Sequence, residues 1–135
     1  MSEPAFDILA LKARSLRARE FSETIEGRSF TLRVPTRHET LVAARSLGGR
    51  LSEDLAGLML LQRALLEGAV VAWSAVTVAD LLDVQEPEAS QAVPHSREAV
   101  LLLLDFKTEW AKTLGNALSD RLQARNAAIE TEQKN

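Results

Sequence analysis

Residues 30–39 read FTLRVPTRHE, and this stretch decides how the rest of the chain divides. Phe30, Leu32 and Val34 alternate with Thr31 and Arg33, the period-2 pattern of a strand with one buried face. Pro35 lacks the N–H that a continuing ladder needs. Thr36 followed by Glu39 is a capping box, in which the hydroxyl accepts the third helical N–H while the carboxylate reaches back to the cap N–H. A strand therefore hands over to a helix beside Pro35. Backbone hydrogen bonding accounts for the pattern, which directs attention to surfaces rather than reactive groups.

Working outward, Arg19, Phe21, Glu23 and Ile25 share one parity and Glu26-Gly27 makes a turn into Arg28–Val34, so a β-hairpin is predicted over about residues 19–34. Pro4 suits a first helical turn, and Phe6, Ile8, Leu9, Leu11 and Leu16 predict a short helix before the hairpin. After the Thr36 cap, Leu41, Val42, Arg45 and Leu47 run to Gly48-Gly49, which ends a helix through positive φ. Ser52 then caps another, with Glu53 and Asp54 in its first turn. Leu55 to Val71 is apolar nearly all round, which predicts the central, most buried helix with Trp73 at its end. Gly57 and Gly68 within it each cost about 1 kcal/mol relative to Ala and imply close packing or a break.

Residues 74–95 carry Pro87, Pro94, Asp80, Asp83, Glu86 and Glu88 and read as a long, solvated acidic connection with a short turn at Val78–Leu82. Ser96 caps a helix with Glu98 in its first turn, and Asp105–Thr108 marks a break. Trp110, Leu114, Leu118 and Leu122 recur every four residues, joined by Ala111, Ala117 and Ile129, on an amphipathic helix whose end from Glu130 frays. The expected fold is mainly α with a small N-terminal β-hairpin (α+β), its helices packed as one compact domain over 1–129, with a flexible tail at 130–135.

At 135 residues and 46% hydrophobic, the chain is long enough for one real core. Aromatic residues are 4%, so Leu, Ala and Val must build it, which favours helices on helices. The absence of Cys removes disulfides and thiolate chemistry together. Glu3, Asp7 and Lys12 break the order of a signal peptide, and the apolar windows Leu55–Leu61 and Ala99–Leu104 fall far below the ~20 residues of a membrane span. Neither export by that route nor a membrane partner is expected. Residues 1–50 hold nine Lys or Arg against six acids, and residues 51–135 seven against thirteen. An acidic second part opposes a broad nucleic-acid surface, and the asymmetry itself suits orienting a partner.

No catalytic or cofactor motif emerges. His38 and His95 lie near helix starts without metal-ligand spacing to another donor, and the acids from Asp80 to Glu88 lack the glycine and register of an EF-hand. Capping explains Ser96, and adjacent His95 and Ser96 make a poor base and nucleophile. The helices around Gly48-Gly49 have helix-turn-helix spacing, but Glu53 and Asp54 would meet the phosphates first. An enzyme is not expected, nor any metal or cofactor. What remains is apolar surface: Trp73 and the stripe Trp110, Leu114, Leu118 and Leu122 are the candidate partner-binding residues. Such a stripe is more often core, but where uncovered it suits helix-in-groove binding.

Three blocks taken in order carry a resemblance: Phe30, Leu32, Arg33 and Pro35; then Trp73; then Val93, Pro94, Ser96, Glu98 and Ala99 of VPHSREAV. Over about residues 28–128 the chain resembles the small tail assembly chaperones of long-tailed bacteriophages and prophages. The resemblance implies a protein of the infected host's cytoplasm that binds the tape-measure protein, helps recruit major tail tube subunits, and is absent from the finished particle. Two other readings stand beside it: a structural component of a tail or connector, and a small helical regulator of DNA or a transcription protein.

Overall fold

A computed structural model describes residues 6–48 and 55–134 of the chain, the side chains of 55, 56, 58 and 132–134 excepted. The readings placed on Pro4, Gly49, Ser52, Glu53 and Asp54 lie outside the described residues. In chain order the elements are α1 (Ile8–Ala18), β1 (Glu20–Ile25), β2 (Arg28–Arg33), α2 (Arg37–Ser46), α3 (Leu55–Ala69), β3 (Val70–Ser74), α4 (Arg97–Phe106) and α5 (Thr108–Lys134). Single turns of 3-10 helix occupy Val78–Asp80 and Glu88–Ser90 within the connection.

The hairpin forms as its sequence dictates. Ile25 pairs with Arg28 across a two-residue turn in which Glu26 and Gly27 have φ of 48° and 81°, the positive pair that matches strand twist. Glu26 has no glycine's freedom there, and two contacts hold it: Arg28 Nη1 donates to its carbonyl at 2.6 Å and Trp110 Nε1 to its carboxylate at 3.0 Å. At the other end the capping box closes, with Glu39 N–H donating to Thr36 Oγ1 and Thr36 N–H to Glu39 Oε1, both at 3.1 Å.

The sheet is larger than the hairpin, and the hairpin is not N-terminal. α1 precedes it, and β3 adds to β2 antiparallel, giving the order β1-β2-β3. The helix expected over Leu55–Val71 stops at Ala69, and Trp73 lies on β3 opposite Phe30. The reason is pairing: Val70–Ser74 continues an apolar run that either period accommodates, and the open edge of β2 selects the extended form. Thr31 pairs with Ala72 but Leu32 with Val70, so Val71 is an extra residue in a bulge. That bulge lets Val70 face inward directly after Ala69, the two consecutive residues both being buried.

One face of the sheet, bearing Phe21, Phe30 and Leu32, is buried with α4 and the first half of α5, while Ser22 and Thr24 on the other face are exposed. α4 is the well-buried short helix, contributing Ala99, Val100, Leu103 and Leu104; Ser96 caps it by accepting from Ala99 N–H at 3.1 Å. α3 was expected to be the most buried and is not, because Met59 and Leu60 face outward and the neighbouring helices cover only one side. It meets α5 closely where Gly115 lies under Gln62: a Cβ on Gly115 would stand 2.5 Å from the Gln62 side chain. Lys107, with ψ of 70°, breaks α4 from α5, and α5 then continues without interruption to Lys134, carried beyond Leu122 by alanines and other strong helix formers.

Asp80 corrects the reading of the acids from Asp80 to Glu88 as a solvated loop. It is 2% exposed and takes a bidentate pair from Arg28, Nη2 to Oδ1 at 2.8 Å and Nε to Oδ2 at 3.1 Å. It also accepts from Thr77 N–H at 2.9 Å. A buried carboxylate without such partners would be driven to neutralise. Asp83, Glu86 and Glu88 remain exposed.

Candidate interaction surface

The five candidate partner-binding residues are used first by the core. Trp110, Leu114 and Leu118 are buried, and Leu122 packs on the core's edge. Each leucine so covered contributes about 1.5–3 kcal/mol, which favours keeping the stripe shut. Phe30 stands edge-on to both tryptophans, 6.3 Å from Trp73 and 6.1 Å from Trp110. Trp110 also has the Arg28 guanidinium and the Lys107 ammonium over its ring at 5.1 and 4.9 Å, so it joins the hairpin to α5 and to the break before it. Trp73 is half-buried; its Nε1 donates to the Val93 carbonyl at 2.9 Å and its ring meets His95 edge-on at 5.3 Å. His95 Nε2 lies 2.9 Å from the Val70 carbonyl, a bond that ties the connection to β3. The structure thus brings Trp73 and Trp110 together around Phe30 but withholds the α5 stripe from solvent.

Apolar surface is displayed elsewhere, on three helical features. On α3 and α4, Arg63 Nη2 bonds Asp105 Oδ1 at 2.7 Å. Met59 and Leu60 lie one turn before Arg63, Leu102 lies one turn before Asp105, and Phe106 follows Leu102 by four residues. These four exposed side chains flank the ion pair as one patch. Between α2 and α3 runs a groove of about 440 Å³ lined by Pro35, Val42, Ala43, Ala64, Leu65 and Gly68, with Arg33, His38 and Glu39 at its polar end. The third feature is α1, which buries none of its residues.

No family model matches the chain, and neither a curated protein nor a solved structure matches it. Among the described residues no group of three or more His, Cys, Asp or Glu is placed to hold a metal ion, and no helix is long and apolar enough to cross a membrane.

The electrostatics of the groove's polar end are local. Burial pushes the Glu39 carboxyl upward, but the Thr36 N–H and the Arg19 guanidinium outweigh this and hold it below its ordinary 4.5. Arg19 Nη1 donates to Glu39 Oε1 at 2.9 Å and to the Val34 carbonyl at 2.8 Å, fixing the foot of α1 to the start of α2. Sequence reasoning missed the α3–α4 patch because Leu60 and Leu102 sit within continuous apolar runs. Their exposure depends on which side the neighbouring helices take, and period alone does not say.

Proposed function

We propose that the protein is a non-enzymatic binding protein of phage tail morphogenesis, a chaperone that holds the tape-measure protein in the host cytoplasm and helps recruit tail-tube subunits. The observation that carries this reading is the α3–α4 patch of Met59, Leu60, Leu102 and Phe106, large apolar side chains left in water around Arg63 and its carboxylate partners. Exposed apolar surface of this kind marks an interaction site, and a tape-measure protein, a long apolar helical polymer, needs partners that cover its helices. The order of the FTLRVP, Trp73 and VPHSREAV blocks adds the resemblance to tail assembly chaperones, and no reactive group is required for the task.

Co-expression with a tape-measure fragment tests it. The expected result is a soluble complex lost on Leu102→Asp or Met59→Asp, both at exposed positions. A folded, soluble fragment that is not retained would overturn the reading, and so would finding the protein in purified particles by mass spectrometry. The regulator alternative predicts a gel shift at low salt, where basic contacts are strongest; none is expected.

A further inference from the structure

α1 and the α2–α3 groove are two halves of one joint. On α1, Leu9, Ala13 and Leu16 recur at spacings of four and three residues, the seam of a helix that packs along another, and Phe6 leads into it just before the Asp7 cap. Phe6 and Leu9 are 76% and 74% exposed, and Ile8 and Leu11 beside them also face water. A helix of 11 residues that buries none of its side chains fully is marginal in water, so it gains most from a surface that covers it. The groove offers that surface. Its floor is Ala43, Ala64 and Gly68, small residues that admit a close helix, and a Cβ on Gly68 would meet nothing within 4 Å. Glycine is a destabilising choice within a helix, and among the described residues no close packing requires it here.

The two halves cannot meet within one molecule. α1 ends at Ala18 and β1 begins at Glu20, so Arg19 alone connects them. Arg19 is buried, its guanidinium is held by the Val34 carbonyl and Glu39, and its carbonyl accepts from Val34 N–H at 2.9 Å. With no loop to turn on, α1 does not fold back into its own groove, none of whose lining residues belongs to α1. Its foot nevertheless stands at the groove mouth, because Glu39 lines the groove and binds Arg19. A helix and a groove that are both open, adjacent and unable to join in one copy fit a reciprocal exchange, which closes with two-fold symmetry.

We infer that two copies exchange α1, each helix lying in the α2–α3 groove of the other. Covering a large apolar side chain removes roughly 60–120 Å² from water. Phe6, Leu9 and Leu16 from both copies, with a similar area of groove, reach about 700–1,400 Å², a range that spans the roughly 1,000 Å² a specific interface needs. This joint does not use the α3–α4 patch and stands independently of the tail-assembly reading.

Sedimentation velocity of the full chain across a concentration series tests it. The wild type is expected to dimerise. Leu9→Glu and Gly68→Leu, both at positions open to solvent in one copy, are each expected to weaken dimerisation at least about tenfold while leaving the circular dichroism spectrum and urea midpoint of the monomer unchanged. Ala13→Glu is a second seam variant, should Leu9→Glu disturb folding. An equimolar mixture of Leu9→Glu with Gly68→Leu regains one undamaged joint per dimer, so it is expected to associate more tightly than either variant alone. A wild type that stays monomeric, variants that dimerise as the wild type does, or a mixture no tighter than its components would each overturn the exchange.

Discussion

α1 and α4 are nearly the same helix by local rules and opposite by packing. They have 11 and 10 residues, and each is opened by a side-chain cap, Asp7 accepting from Ala10 N–H at 3.0 Å and Ser96 from Ala99 N–H at 3.1 Å. α4 buries four residues against sheet and helices; α1 buries none. Cap chemistry and amphipathic spacing fix where a helix runs, whereas a facing surface decides whether its apolar side stabilises the fold. On this view α4 belongs to the cooperative unit of the monomer and α1 does not.

The contrast is broken or sharpened most strongly by truncating the two apolar faces. Leu103→Ala in α4 is expected to cost about 2–5 kcal/mol, read as a fall in the urea midpoint. Leu9→Ala in α1 is expected to stay within about 0.5 kcal/mol at concentrations where the protein is monomeric; equal losses would place α1 in the core after all. Asp80→Ala removes the buried partner of Arg28 and leaves a half-covered guanidinium, so it is expected to cost about 3 kcal/mol, the low end for breaking a buried pair. That result would give the connection before α4 a share in the same unit.

Caps give a smaller and cleaner version of the same test. Ser96→Ala is expected to lower global stability by about 1 kcal/mol, because α4 unfolds only with the domain. Asp7→Ala weakens its helix by a similar amount, yet it is expected to leave the unfolding midpoint unchanged and to appear only as lost helical signal. The smallest effect belongs to Glu39, at the foot of α1. Its folded pKa is depressed below 4.5, so its contribution is present above that pH and is lost as pH falls through the folded value. Glu39→Gln is expected to flatten that acid limb by lowering stability slightly at neutral pH, with variant and wild type converging as the pH falls below the folded value.

Local chemistry was legible in the sequence and tertiary choice was not. The Glu26-Gly27 turn, the Thr36–Glu39 box, the Ser96 cap and the break at Lys107 each depend on neighbours within four residues, and each lies where the residue types place it. β3 was not readable because Val70-Val71-Ala72-Trp73 continues the apolar run of α3 without a change of polarity, and Gly68 before it fits close packing as well as a break. Only the edge of β2 made it a strand. Asp80 looked like its acidic neighbours until Arg28, 52 residues away, claimed it. The stripe from Trp110 to Leu122 was correctly an apolar helix face, but its partner is the protein's own sheet, so the exposed patch had to be found on α3 and α4.

The bulge at Val71 has a consequence for chain length. Removing that residue leaves Phe30 opposite Trp73, Thr31 opposite Ala72 and Leu32 opposite Val70 in an unbroken ladder, with α3 undisturbed. Removing a residue from the middle of α3 instead turns one half of the helix against the other by roughly 100°, which carries Gln62 off Gly115 and Ser119. β3 is therefore the place where this chain has slack, and deleting Val71 is expected to be tolerated where a single-residue deletion in the helix that feeds it is not.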